Sequence, residues 1–184
     1  ELRGKVKKMG LWLPQIPKEY GGLGLTLEQH GEISEILGAS PYGFYVFNCQ
    51  APDAGNMEIL IEFGTEEQKE KYLNPLLDGK IRSCFAMTEP NFAGSNPVNM
   101  GTLATKENGN YIINGHKWFT SSFDGAKFAI VMLISDPNNE NPYKKASQII
   151  VPTDSEGVKF IRNISVMGHP GGGWESHAEI KFEN

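Results

Sequence analysis

The sequence predicts an α+β chain: an all-α segment over residues 1–80, followed by an antiparallel β-barrel or sandwich over residues 81–184. Two observations predict the first part. Thr26 is followed three residues on by Gln29, and Thr65 by Gln68; each pair is the signature of a capping box, in which side chains satisfy the free amides of a helix start. Apolar residues then recur at helical spacing, as at Ile33, Ile36 and Leu37. The third observation marks the second part. Asn108-Gly109 and Asn114-Gly115 lie among β-branched and aromatic residues, and Asn-Gly is the strongest short hairpin signal, since both turn positions need positive φ.

In chain order, "EYGGLGL" is glycine-rich but follows no strand and misses the G-x-G-x-x-G spacing, so it is expected to be a loop leading to the Thr26 cap. The helix after Thr26 is closed by Gly38. "YGFYVFNCQ" and "DAGNMEILIEFG" are apolar enough for buried helices, broken around Pro52. After Thr65, acids fill the first turn and lysines follow, with Pro75 expected to end the helix. From Arg82 the pattern changes: "KFAIVMLIS", "ASQIIVPT", "GVKFIRN" and "HAEIKFE" supply strands at short intervals.

Composition narrows the function. The chain of 184 residues is 39% hydrophobic and 21% charged, a globular balance. Its net charge is −5, and its 17 Lys and Arg form no basic stripe, which argues against nucleic-acid and anionic-membrane partners. Cys49 and Cys84 are far apart and without zinc-type spacing, so buried free thiols in a reducing compartment are expected. No apolar run approaches the ~18 residues of a membrane span, and no leader pattern is present. The chain opens without Met and stops within the alternating "AEIKFEN", so a longer parent is expected. His169, Glu175, His177 and Glu179 crowd the C-terminal region, but their spacing favours solvated loop residues over a metal set.

Two segments carry chemistry. "SCFAMTEPNFAGSNP" runs from a strand into a loop longer than a hairpin requires, rich in backbone and hydroxyl groups that can bond a ligand. "GHKWFTSS" is a strand with an aromatic and then a hydroxyl. A ligand at this sheet edge would find Trp118 as an apolar cover and Thr88 and Thr120 as hydrogen-bond partners. Trp118 and Thr120, two apart on one strand, are expected on one face. An isoalloxazine ring, apolar on its faces and polar along its edges, needs that mixture.

The pair "FAMTEPNFAGSN" and "NGHKWFTSS" resembles the two flavin-binding signatures of the acyl-CoA dehydrogenase family. "EYGGLGL" and "FGTEEQKEKYLNPLLDGKI" resemble its N-terminal turn and its run into the β-domain, so the likeness covers nearly the whole chain in order. The resemblance implies a partial N-terminal helical domain, a middle β-domain and a C-terminal helical domain that this chain does not contain. It implies FAD along Phe85, Ala86, Met87 and Thr88, with Gly94 also at the cofactor, and Ser95 near the pyrophosphate and the thioester end of the substrate. Trp118, Phe119 and Thr120 match the second flavin segment, where Thr120 would donate toward the N5 edge.

The implied reaction is α,β-dehydrogenation of an acyl-CoA, by a homodimer or homotetramer passing electrons to an electron-transfer flavoprotein. No residue of the chain matches the family's catalytic base, so the fragment alone is expected to be inactive. The implied location is cytoplasmic in a bacterium, mitochondrial or peroxisomal in a eukaryote. Asn91 to Gly94 make the loop one residue longer than in medium-chain members, and Asn96 stands where they have Asp. "SVMGHPGGGWESHAEIKF" looks more like the branch that animals sometimes fuse to a phosphotransferase-like domain. An oxidase of the same fold and a cofactor-free binding module are the alternative readings.

Overall fold

Helical periodicity gives way to alternation near residue 81, and the chain divides there into Glu1–Ile81 and Arg82–Asn184. The structure is a computed structural model that describes residues 1–94 and 96–183.

The first unit contains α1 (Leu2–Lys8), α2 (Leu27–Leu37), α3 (Gly43–Phe47), α4 (Asp53–Phe63), α5 (Glu66–Gln68) and α6 (Asn74–Leu77). Both capping boxes form: Thr26 and Thr65 accept from the Gln29 and Gln68 amides, and each Gln side chain returns a bond to its cap. Its interior is lined by Ile16, Met57, Leu60, Leu73 and Leu76, all at most 2% exposed. Arg3 staples distant points: its guanidinium lies 4.1 Å over the Tyr45 ring and donates to Tyr45 O and Gly79 O, each at 3.1 Å.

Pro75 does not end the last helix. A π-turn over Lys69–Leu73, in which the Asn74 N–H reaches back to Lys69 O, carries the chain into α6, with Pro75 in that helix's first turn. In the first turn of α6 proline's missing N–H is one of those without an intrahelical partner and its fixed φ suits the helix, so the helical path survives it.

The second unit is a curled seven-stranded sheet: β1 (Ser83–Ala86), β2 (Leu103–Glu107), β3 (Asn110–Ser121), β4 (Phe128–Ile134), β5 (Ala146–Pro152), β6 (Val158–Asn163) and β7 (His177–Phe182). β3 is long enough to serve two neighbours, its first part pairing with β2 and its second with β7. β6 completes that side, while β4 pairs with β5 on the other. Cys84, Ala86, Val131, Leu133, Ala178 and Ile180 fill the space between. Most pairings are antiparallel as expected. β1, however, lies parallel to β4, because the connection between them runs through the long loop and the β2–β3 hairpin.

Asn108 and Gly109, with φ of 50° and 83°, make the predicted β2–β3 turn. Asn114-Gly115 does not turn; it lies inside β3, where Gly115 pairs with Phe182. Here glycine answers a close approach rather than a turn, since a Cβ on Gly115 would come 2.2 Å from Thr102 Oγ1.

Candidate functional site

β1 ends at Ala86, and the described residues of the 87–102 loop, 87–94 and 96–102, are irregular before β2 begins. What fixes the loop is a charge pair. Lys117, on β3, is wholly buried and donates from Nζ to Glu89 Oε1 at 2.8 Å and to Met87 O at 2.7 Å. Glu89 in turn accepts from the Gly101 amide at 2.6 Å and the Thr102 amide at 3.0 Å. The first residue of the loop is therefore tied to the ammonium of this ion pair and the last two to its carboxylate. Burial would raise the Glu89 carboxyl, but Lys117 and the two amides hold it below its ordinary 4.5. Burial also pushes the Lys117 ammonium below 10.5, with Glu89 opposing.

The next residue of β3 continues the attachment: the Trp118 N–H donates to Thr88 O at 3.0 Å. Beyond it the strand bulges. Lys117 pairs with Ile180 but Thr120 pairs with Ala178, so three residues of β3 span what two span on β7. Phe119 takes the extra step at φ 49°, is 41% exposed, and packs edge-on against Trp118 with ring centroids 5.0 Å apart. The bulge corrects the expectation that Trp118 and Thr120 share a face. Thr120 falls in phase with Lys117, both opposite inward-facing residues of β7, while Trp118 is out of phase with them. A one-residue insertion shifts the two-residue period, and an unbroken strand pattern does not announce it.

The predicted site residues are placed as follows. Phe85 is half-buried on β1, whereas the Ala86 side chain is in the core, so that only its backbone could meet a ligand. Met87 and Thr88 are half-buried at the start of the loop. Gly94 comes against Thr88 so closely that a Cβ there would sit 2.6 Å from Thr88 Cγ2. Ser95 lies outside the described residues. Thr88, Gly94, Trp118, Phe119 and Thr120 are thus brought to one region, where loop meets bulge. Two buried polar atoms there, Trp118 Nε1 and Thr120 Oγ1, have no hydrogen-bond partner among the described residues. A buried hydroxyl or indole N–H without a protein partner is costly, so each is satisfied by water or by a ligand.

Glu89 and Lys117 were missed by inspection of the sequence. A signal existed: Lys117 is in phase with Ile113 and Gly115 on an otherwise apolar face, and Glu89 is the only charged residue between Ser83 and Thr102. Nearby, His116 Nε2 meets Glu179 Oε1 at 2.8 Å, and Arg162 Nε donates to Glu179 Oε2 at 2.7 Å. Arg162 holds the Glu179 carboxyl below 4.5, with burial opposing and His116 assisting. His177 Nδ1 pairs with Ser121 Oγ at 2.8 Å, apart from Glu179, so these residues converge on no common point. No group of three or more potential metal ligands occurs among the described residues. No described helix is long and apolar enough to cross a membrane.

A helical unit followed by a curled sheet, with a pinned loop and a bulge between two of its inner strands, defines a two-unit α+β protein. Residues 1–80 match the acyl-CoA dehydrogenase N-terminal domain, and residues 84–184 match the acyl-CoA dehydrogenase middle domain. The chain belongs to the acyl-CoA dehydrogenase family. It is 44% identical to acyl-CoA dehydrogenase family member 10 of Mus musculus, covering 100% of this chain and 18% of that protein. It is 39% identical to FadE2 of Mycobacterium tuberculosis, covering 100% of this chain and 44% of that one. Among solved structures, a Mycobacterium abscessus protein provisionally assigned as an acyl-CoA dehydrogenase superimposes with a TM-score of 0.94 at 38% identity, over 100% of this chain and 45% of its own. A glutaryl-CoA dehydrogenase from Mycobacterium smegmatis, solved with FADH2, gives 0.76 at 25% identity, over 100% and 44%. The chain thus spans less than half the length of these relatives.

Proposed function

We propose that this chain forms part of an acyl-CoA dehydrogenase and holds FAD where the 87–102 loop meets the bulge of β3. The carrying observation is the pair of buried, unpartnered groups, Trp118 Nε1 and Thr120 Oγ1, at that junction. Thr120 can donate to a ring edge, which offers acceptors, and Trp118, out of phase with it across the bulge, adds an apolar wall. Gly94, Ser95 and the loop amides would meet the pyrophosphate, with Ser95 also close to the thioester. FAD, when bound, accepts the β-hydride of an acyl-CoA whose α-proton is removed by a base. The residues of this chain orient the ring, keep water from it and donate toward its edge, and such alignment is worth rate only on a rigid frame.

The test is titration of the purified chain with FAD, followed by quenching of flavin fluorescence. Saturable binding that weakens in Trp118→Ala supports the site; no binding by the unaltered chain overturns it. Electron-transfer flavoprotein is the proposed acceptor and a homodimer or homotetramer the proposed assembly. Peroxide released during turnover would instead indicate an oxidase.

A further inference from the structure

Lys117 is fully buried and is among the largest fully buried side chains of the described residues, beside Phe128 and a set of aliphatic residues. Fold stability is a weak explanation for it. Replacing a buried ion pair by apolar groups of similar volume is often neutral or stabilising, because desolvation cancels much of the attraction. What apolar groups cannot replace is the set of bonds this pair makes to the backbone. Lys117 Nζ holds Met87 O at 2.7 Å. Glu89 holds the amides of Gly101 and Thr102 at 2.6 and 3.0 Å. Met100 Sδ lies 3.8 Å from the same Nζ. The adjoining Trp118 amide bonds Thr88 O. The ends of the loop are therefore tied to the residue immediately before the bulge.

We propose that Lys117 and Glu89 are positioning residues, which set the place of the 87–102 loop relative to Trp118 and Thr120 and thereby pre-form the flavin cradle. The proposal rests on the reading of that junction as a flavin site. Neither side chain need touch the ligand. Their effect is transmitted through Thr88 O to Trp118, and through the loop ends to Gly94.

The experiment compares the unaltered chain with the apolar exchange Glu89→Leu/Lys117→Met and with Glu89→Gln, which keeps an acceptor for the loop amides. Three readouts are taken well below the melting temperature: the FAD dissociation constant, hydrogen exchange at the Gly101 and Thr102 amides, and the folded fraction. In the apolar exchange the chain is expected to stay folded, while the two amides exchange at least about tenfold faster and the FAD constant rises roughly tenfold, the loss of a pre-ordered site. Glu89→Gln should retain most of the amide protection and bind FAD within about threefold of the unaltered chain. If the apolar exchange does not fold, Glu89→Gln decides: weakened FAD binding with intact amide protection overturns the proposal. Unchanged FAD binding by a folded apolar exchange also overturns it. If the unaltered chain binds no FAD, the flavin reading fails; anchoring is then judged by exchange alone, and unchanged protection in the apolar exchange overturns it.

Discussion

Thr120→Val should move stability and ligand affinity in opposite directions. Thr120 is fully buried, and its hydroxyl has no partner among the described residues. Valine keeps the branched shape and replaces only the hydroxyl by a methyl. A buried, unsatisfied polar group costs roughly 1–3 kcal/mol. Relief of that cost should raise the unfolding free energy of the ligand-free chain by about 1–3 kcal/mol, although most core substitutions lower it. FAD binding should weaken instead. One lost hydrogen bond, worth about 0.5–1.5 kcal/mol net, is roughly a two- to twelvefold rise in dissociation constant. Urea denaturation without FAD, alongside fluorescence titration with FAD, measures both. A variant less stable than the parent without FAD would mean the hydroxyl already has a protein partner. An unchanged FAD constant would mean the ring edge lies elsewhere.

Three further outcomes are expected. Lys117→Met, which strands the Glu89 carboxylate, should cost about 3–5 kcal/mol at neutral pH. It should also flatten or invert the acid limb. In the parent the lowered Glu89 value, below 4.5, gives stability that is present above 4.5 and lost as pH falls through the folded value. In the variant the lowering by Lys117 is gone while burial still opposes ionisation, so the stability lost as pH falls should shrink or reverse; melts between about pH 3 and about pH 7 compare the slopes. Gly115→Ala should lose about 1–3 kcal/mol from the crowding against Thr102, and an unchanged urea midpoint would show that Thr102 gives way freely. Because relatives such as FadE2 are more than twice as long, of which the chain spans 44%, the polypeptide alone should show no acyl-CoA-dependent dye reduction. Measurable turnover would place the base within these residues.

Local rules were enough wherever the chain obeys them one element at a time. Thr26 and Thr65 announce their helices because a capping box is complete within four residues, and Asn108-Gly109 announces its hairpin because the turn needs nothing from elsewhere. The same rules failed where a distant contact decides. Asn114-Gly115 has the composition of a turn, but the neighbour that demands glycine is Thr102, on the far side of the hairpin. Pro75 has the chemistry of a helix stop, but it falls in the first turn of a new helical segment, where its missing amide is not needed.

The site divides along the same line. Groups suited to meeting a flat ligand, Trp118 and Thr120 above all, stand out because an aromatic beside hydroxyls at a strand end is a recognisable chemistry. Groups that arrange them do not stand out. A lysine in a strand and a glutamate before a proline, each taken singly, resemble surface residues, and it is their buried meeting at 2.8 Å that makes them the inner brace of a loop. The bulge is hidden for a related reason: the inserted residue is Phe119, an ordinary strand former, and nothing in its side chain requires the left-handed backbone it adopts. That conformation persists because the ladder is fixed on both sides of it: Gly115, His116 and Lys117 pair with Phe182, Lys181 and Ile180, and Thr120 and Ser121 with Ala178 and His177, so the extra residue between them has to be absorbed locally. Removing the bulge would require one of these two runs to slip by a residue and turn every side chain in it to the other face, which is why Trp118 and Thr120 stay out of phase.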